Sequence, residues 1–362
     1  MFNIFTYPET LSRLGSNKDF RDGLLLKSAI KKIAQIVLIM SKDDFEKQWN
    51  DSESTIRQFC TSFDIHKPTI WDYSSEFSKN PRLICSQDPF SMLLVNNSDV
   101  AKLFRDYLGF WAANPKDMKD DFFYLDHSMS FARGEIIEGP TDNGWGNYLY
   151  QIRNNIPPCN TFVFNDRHLL FQNNQRNIER GVKFGLNNLR RLLGEIMPQE
   201  LKMMVFHILV YCQHPSLDIE TTNNHLIQFT KDIKQLRSYP IEVEFVFDRA
   251  CHQRNLISNY FYFNPERGFN AFNNRNPTQL SGENDFKFKS YLNNPLASGD
   301  SDFLIYQKKL HEIISCCKKV IIQPDLEPSS GKLEDIKRAF TSSDDFFTNR
   351  FFNNSCSLEV NG

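Results

Sequence analysis

Several common chemical signatures are missing from this sequence. Its eight cysteines, at 60, 85, 159, 212, 251, 316, 317 and 356, include no C-x-x-C pair, and no histidines cluster beside them. That spacing argues against zinc-ribbon and thioredoxin-type sites, so no metal and no cofactor is expected. In a chain of this length the thiols are read as small core residues. The longest apolar run, residues 36–40, is far below the roughly 20 residues that a membrane-spanning helix needs. The first residues, MFNIFTYPE, lack the basic start and apolar stretch of a signal peptide, which points to a cytoplasmic protein. Neither sign of charge dominates: 42 Lys and Arg face 44 Asp and Glu, a net charge of −2. This excludes a globally basic nucleic-acid coat and leaves room for a local basic patch. There is no internal repeat and no long low-complexity tract.

The sequence does hold enough apolar residues for a sizeable core. Hydrophobic residues make up 40% of the chain, and 33 of its 362 residues are Phe, so the core is expected to be rich in aromatic rings. The length suits one large or two ordinary domains. In the first half, residues 24–40 begin with helical spacing and run into a strand. Residues 52–63 carry Ile56, Phe59, Cys60 and Phe63 on one helical side, and Ser98 or Asp99 is placed to cap a helix that ends near Tyr107. Residues 83–85 and 92–95 are short strand candidates. Residues 112–147 read as long connections, in which Gly144-Trp145-Gly146 is a turn with a packed Trp. Asn154-Asn155-Ile156-Pro157-Pro158 suggests a boundary near 150.

The second half alternates more plainly. Strands are expected at 161–165, 203–212 and 241–247, with amphipathic helices over 177–197 and around Leu226, Phe229, Ile233 and Leu236. A helix at 303–317 precedes a strand candidate at 320–322. The expected fold class is α/β, a mixed central sheet flanked by helices, with domains at 1–150 and 151–345 and a tail at 346–362.

Residues 247–273 carry the chemistry. His252 and Arg254 alternate on an expected strand, Asn259 follows five residues later, and a turn then reaches Gly268 and Asn270. An imidazole, a guanidinium and an amide near a permissive glycine suit a phosphate-like anion. Asp166 and Arg167 close the first strand of this half, where ligand crevices of α/β sheets lie. Lys287 and Lys289 are placed to join an anion patch. Asp248 is a candidate carboxylate beside the motif, and His207 reads as a core histidine.

His252-Gln253-Arg254, four residues, Asn259, then Gly268-Phe269-Asn270 resembles the H-x-K, four residues, Asp, glycine-turn signature of the phospholipase-D-like superfamily. It is closer to the divergent H-x-R branch, which includes the C-terminal domain of microtubule-interacting-and-trafficking proteins and prokaryotic relatives. The likeness covers about residues 155–290, and Arg267-Gly268-Phe269 fits that branch's closing turn. It implies a phospholipase-D-like C-terminal half, with His252 as nucleophile and Arg254 as the phosphoryl contact. It also implies a prokaryotic accessory or sensor protein that binds nucleic acid or another phosphodiester ligand, as a homodimer or within a multi-protein anti-phage assembly. Asn259 departs from the family's Asp, and the chain has no second H-x-K or H-x-R. Two other readings follow from the same likeness. One is a homodimeric, metal-independent phosphodiesterase or nuclease using His252; the other is an anionic-lipid module, to which the net charge lends little support.

Overall fold

The computed structural model describes residues 2–16, 29–31, 33–86, 88–115, 125–171, 178–202, 205–215, 217–248, 251–291, 302–322, 337–338 and 351. The fold is α/β and contains two sheets. Strands β1 (Phe2–Thr6), β2 (Ala34–Ile39), β3 (Thr69–Trp71), β4 (Ser91–Leu94) and β5 (Ala112–Ala113) form a parallel sheet in the order β3-β2-β1-β4-β5. Around it lie helices α1 (Pro8–Ser16), α2 (Lys42–Asn50), α3 (Thr55–Phe63), α4 (Ser74–Lys79) and α5 (Ser98–Leu108). Asn97 caps α5, not Ser98 or Asp99: its side chain accepts from the Asp99 and Val100 amides at 2.8 and 3.3 Å. Residues 83–85 are not a strand but part of a 3-10 helix, Pro81–Ser86, opened by the Leu83 amide donating to Asn80 O at 3.1 Å.

The second sheet has eight strands: β6 (Asp126–Phe131), β7 (Thr161–Asp166), β8 (Phe206–Cys212), β9 (Ile241–Phe247), β10 (Arg254–Ser258), β11 (Phe261–Pro265), β12 (Asn284–Ser290) and β13 (Lys337–Arg338). Their order is β13-β9-β8-β7-β10-β11-β12-β6. Helices α6 (Gly144–Tyr150), α7 (Ile178–Ile196), α8 (Ile219–Lys234) and α9 (Asp302–Ile322) accompany them. β7, β8 and β9 run parallel, and every residue of β7 and β8 is buried, as strands covered on both faces must be. β10, β11 and β12 continue the sheet antiparallel from β7. Residues 320–322 continue α9 and form no strand, because a short apolar run does not distinguish a strand from a buried helix turn.

The expected boundary at 150 does not divide the sheets. β6 pairs antiparallel with β12 over six positions, and Trp145 of α6 stacks on Phe286 of β12 at 5.1 Å. By sheet membership the division falls between Ala113 and Asp126. β6 was hidden in the sequence because its first five residues are exposed or half-exposed, so it has almost no apolar pattern. Trp145 begins a helix and is fully buried. The two sheets also share one core: Phe2 of β1 meets Tyr260 and Phe303 edge-on at 6.4 and 5.8 Å. Of the expected tail, Phe351 is described, and it packs on Phe90 at 5.4 Å. Among the described residues no helix is long and apolar enough to cross a membrane, and no three His, Cys, Asp or Glu side chains are grouped as a metal would require.

Candidate functional site

The parallel strands β7, β8 and β9 end together, and the chemistry-bearing residues of the second sheet gather at that edge. Asp166 is the last residue of β7 and is 1% exposed. Its two carboxylate oxygens accept from the His168 amide at 2.9 Å and the Phe269 amide at 2.8 Å. Burial raises its carboxyl to about 6, against the lowering effect of these two N–H groups and of Arg254. Asp166 is therefore a joint between the turn after β7 and the turn at 265–270. Gly268 belongs to the same joint: its φ is +95°, and a Cβ there would lie 2.7 Å from Asp166 Oδ2. Asn270 completes it, donating to the carbonyls of His168, Leu169 and Phe171, each at 2.9 Å. Asp166, Gly268 and Asn270 build the frame that holds the turn: Gly268 serves the positive-φ turn and Asn270 supports it, and the Asp166 carboxylate is engaged by two backbone amides.

The groups that reach outward are Arg167, His168, His252 and Arg254. Arg254 opens β10 directly opposite Asp166 in the ladder, and its Nη1 donates to Glu266 O at 3.0 Å. Its Nε is buried with no hydrogen-bond partner among the described residues. Arg167 donates through Nε to Gln213 Oε1 at 3.3 Å, and its Nη1 lies 3.2 Å from His252 Nδ1. The His168 imidazole is held below its ordinary value, first by burial and then by the fields of Arg254 and Arg167. Both guanidiniums thus act on one small patch of surface.

His252 does not lie in the strand that was expected to carry it. It is exposed, in the loop before β10. Asn259 is not its neighbour. It sits at the far end of β10, roughly 16 Å along the strand from Arg254, because five residues of extended chain separate them. There its Oδ1 accepts from the Asn160 amide and its Nδ2 donates to Pro89 O, both at 3.2 Å. Lys287 is also excluded from the patch. The ladder places Arg254, Leu256, Phe263 and Phe288 on one face of the sheet, and Lys287, next to Phe288, points to the other. Lys289 shares that face and pairs with Asp126 at 3.3 Å. Asp248 is buried and accepts the Tyr211 hydroxyl. Gln213 was not singled out in the sequence; its only signal was its place just past the end of β8, beside β7.

The chain matches no protein-family model, and no curated protein matches it.

Proposed function

We propose that Arg167, His168, His252 and Arg254 form a seat for a phosphate-bearing ligand, with nucleic acid as the ligand class, and that the seat binds without hydrolysing. The contact between Arg167 Nη1 and His252 Nδ1 carries this reading. A guanidinium is only a donor, so Nδ1 must accept, and the neutral ring then keeps its proton on Nε2. A phosphohistidine mechanism needs a lone pair at the attacking nitrogen and a carboxylate behind the ring. The ring here offers Nε2–H, a donor suited to a phosphate oxygen, and an arginine stands where the carboxylate is required. Arg167 and Arg254 each keep an Nη2 that meets no protein acceptor among the described residues, which suits forked recognition of phosphate oxygens. Among the described residues the exposed large apolar side chains, Tyr73, Val100, Leu103, Ile136, Tyr150, Leu304 and Ile305, all lie outside these turns, which favours nucleic acid over insertion into lipid.

The test uses labelled single-stranded DNA and RNA over a range of salt, with bis-aryl phosphodiester hydrolysis measured on the same samples. Binding should weaken with salt, and Arg167→Ala and Arg254→Ala should each reduce the salt slope by about 1. No sample should turn over. Hydrolysis lost in His252→Ala would establish a His252-dependent phosphodiesterase and sink this reading; binding indifferent to salt would remove nucleic acid as the ligand.

A further inference from the structure

A cleft of about 640 Å3 opens at the opposite end of β7, roughly six strand residues and about 20 Å from the cationic turn. Its size falls within the range of small-molecule sites, about 300–1,000 Å3. Pro157, Pro158 and Pro198 line part of it. Proline has no backbone N–H, so these residues supply rigid apolar surface and no donors. The Pro198 carbonyl is already occupied, by Arg237 Nε at 2.9 Å and the Tyr239 hydroxyl at 2.6 Å. Besides Thr141, whose hydroxyl is engaged by Asn143 O and Asn147 Oδ1, and the side chains of Asn154 and Gln199, the cleft is lined by three polar side chains: Tyr150, Arg153 and Glu195.

These three are placed but unspent. The Arg153 guanidinium lies over the Tyr150 ring, its Cζ 4.1 Å from the centroid, and makes no hydrogen bond or ion pair among the described residues. Tyr150 is 45% exposed. Glu195 is held by the Asn143 side-chain amide, which donates to Oε1 at 3.0 Å, while Oε2 takes no protein donor among the described residues. Gly146 makes room for that carboxylate: a Cβ there would come within 2.8 Å of it. An arginine and a glutamate in one cleft would ordinarily pair, yet no ion pair joins them.

We propose that this cleft binds a planar heteroaromatic ring that bears an exocyclic amine, the chemistry of an adenine, guanine or cytosine base. The ring would extend the Tyr150–Arg153 stack by one layer, since a guanidinium plane and an aromatic face both accept a stacked base. Its amine would donate to Glu195 Oε2, as a carboxylate accepts from cytosine N4. The site is separate from the cationic turn and does not depend on the function proposed for it.

The experiment titrates the full chain with adenosine, guanosine, cytidine and uridine by calorimetry, alongside Tyr150→Ala, Glu195→Gln and Arg254→Ala. The amine-bearing nucleosides should bind saturably and uridine more weakly. Tyr150→Ala should weaken all of them roughly 10-fold or more, as loss of a stacking platform does. Glu195→Gln should weaken only the amine-bearing nucleosides, and Arg254→Ala, which alters oligonucleotide binding at the other end of β7, should leave nucleoside affinity at the cleft as it is. The proposal is overturned by absence of saturable binding, by binding indifferent to the first two variants, or by nucleoside binding that Arg254→Ala abolishes. A free α-amino acid that binds with the same dependence on Tyr150 and Glu195 would also overturn it.

Discussion

Asp166 is buried at the end of β7 with two backbone N–H groups and the field of Arg254 upon it, and burial still outweighs all three. Its carboxyl stands near 6 in the fold and near 3.8 when the chain is unfolded. Folding therefore favours the protonated form. The stability that protonation adds is complete below about pH 4 and is lost as pH rises through about 6, a swing on the order of 3 kcal/mol. Asp166→Asn removes this titration. The unfolding free energy of the native protein should thus fall relative to the variant between pH 4 and pH 7, measured by urea denaturation at each pH. A constant difference would show that Asp166 is not strained by burial. The thiols follow the same physics in simpler form: burial pushes Cys60 up to about 11, in keeping with small core residues and not with reactive groups.

β10 shows how a motif in sequence differs from a site in space. His252, Arg254 and Asn259 are close in the chain, but an extended strand rises about 3.3 Å per residue. Its two ends therefore serve different parts of the molecule: Arg254 meets the last residue of β7, and Asn259 joins the Asn160 amide to Pro89 O, just before β4 of the first sheet. Restoring the acidic residue of the resembled signature, Asn259→Asp, should create no phosphodiesterase activity. It should instead cost about 3 kcal/mol or more, since a buried carboxylate would face Pro89 O without a proton to donate. Oligonucleotide binding by the folded variant should match that of the native chain; hydrolysis gained by the variant would contradict the placement of Asn259. Residue type alone singled out Arg254, Arg167 and His252 in the sequence, and the structure places all three at the end of β7. The turn role of Gly268, with Asn270 beside it, was legible from residue type, but the framing role of Asp166 was not, because it joins two turns about 100 residues apart.

At the scale of the molecule, the two sheets share a common core, and β6 and α6 of the second sheet lie before the boundary that the prolines near 157 suggested. A fragment of residues 151–362 would lack both elements. It would uncover Phe286 and Phe263, which pack on Trp145 at 5.1 and 5.7 Å, and Tyr260, which packs on Phe2 and on Trp111 at 6.4 and 5.3 Å. This fragment should fail to fold, seen as lost near-ultraviolet dichroism and aggregation on a sizing column. The intact chain should unfold in one cooperative transition. A monodisperse, folded fragment would show that the shared core is dispensable.

The α/β class, the strands of the second half and the guanidinium at Arg254 could be read from the amino-acid order alone, because apolar periodicity and side-chain chemistry are local properties. The folded chain was needed to show that β6 forms the edge of the second sheet, that Lys287 turns away from Arg254, and that Arg167 takes the place behind His252. Each of these depends on which strand pairs with which and in what register, and register arises from packing across long separations in the chain.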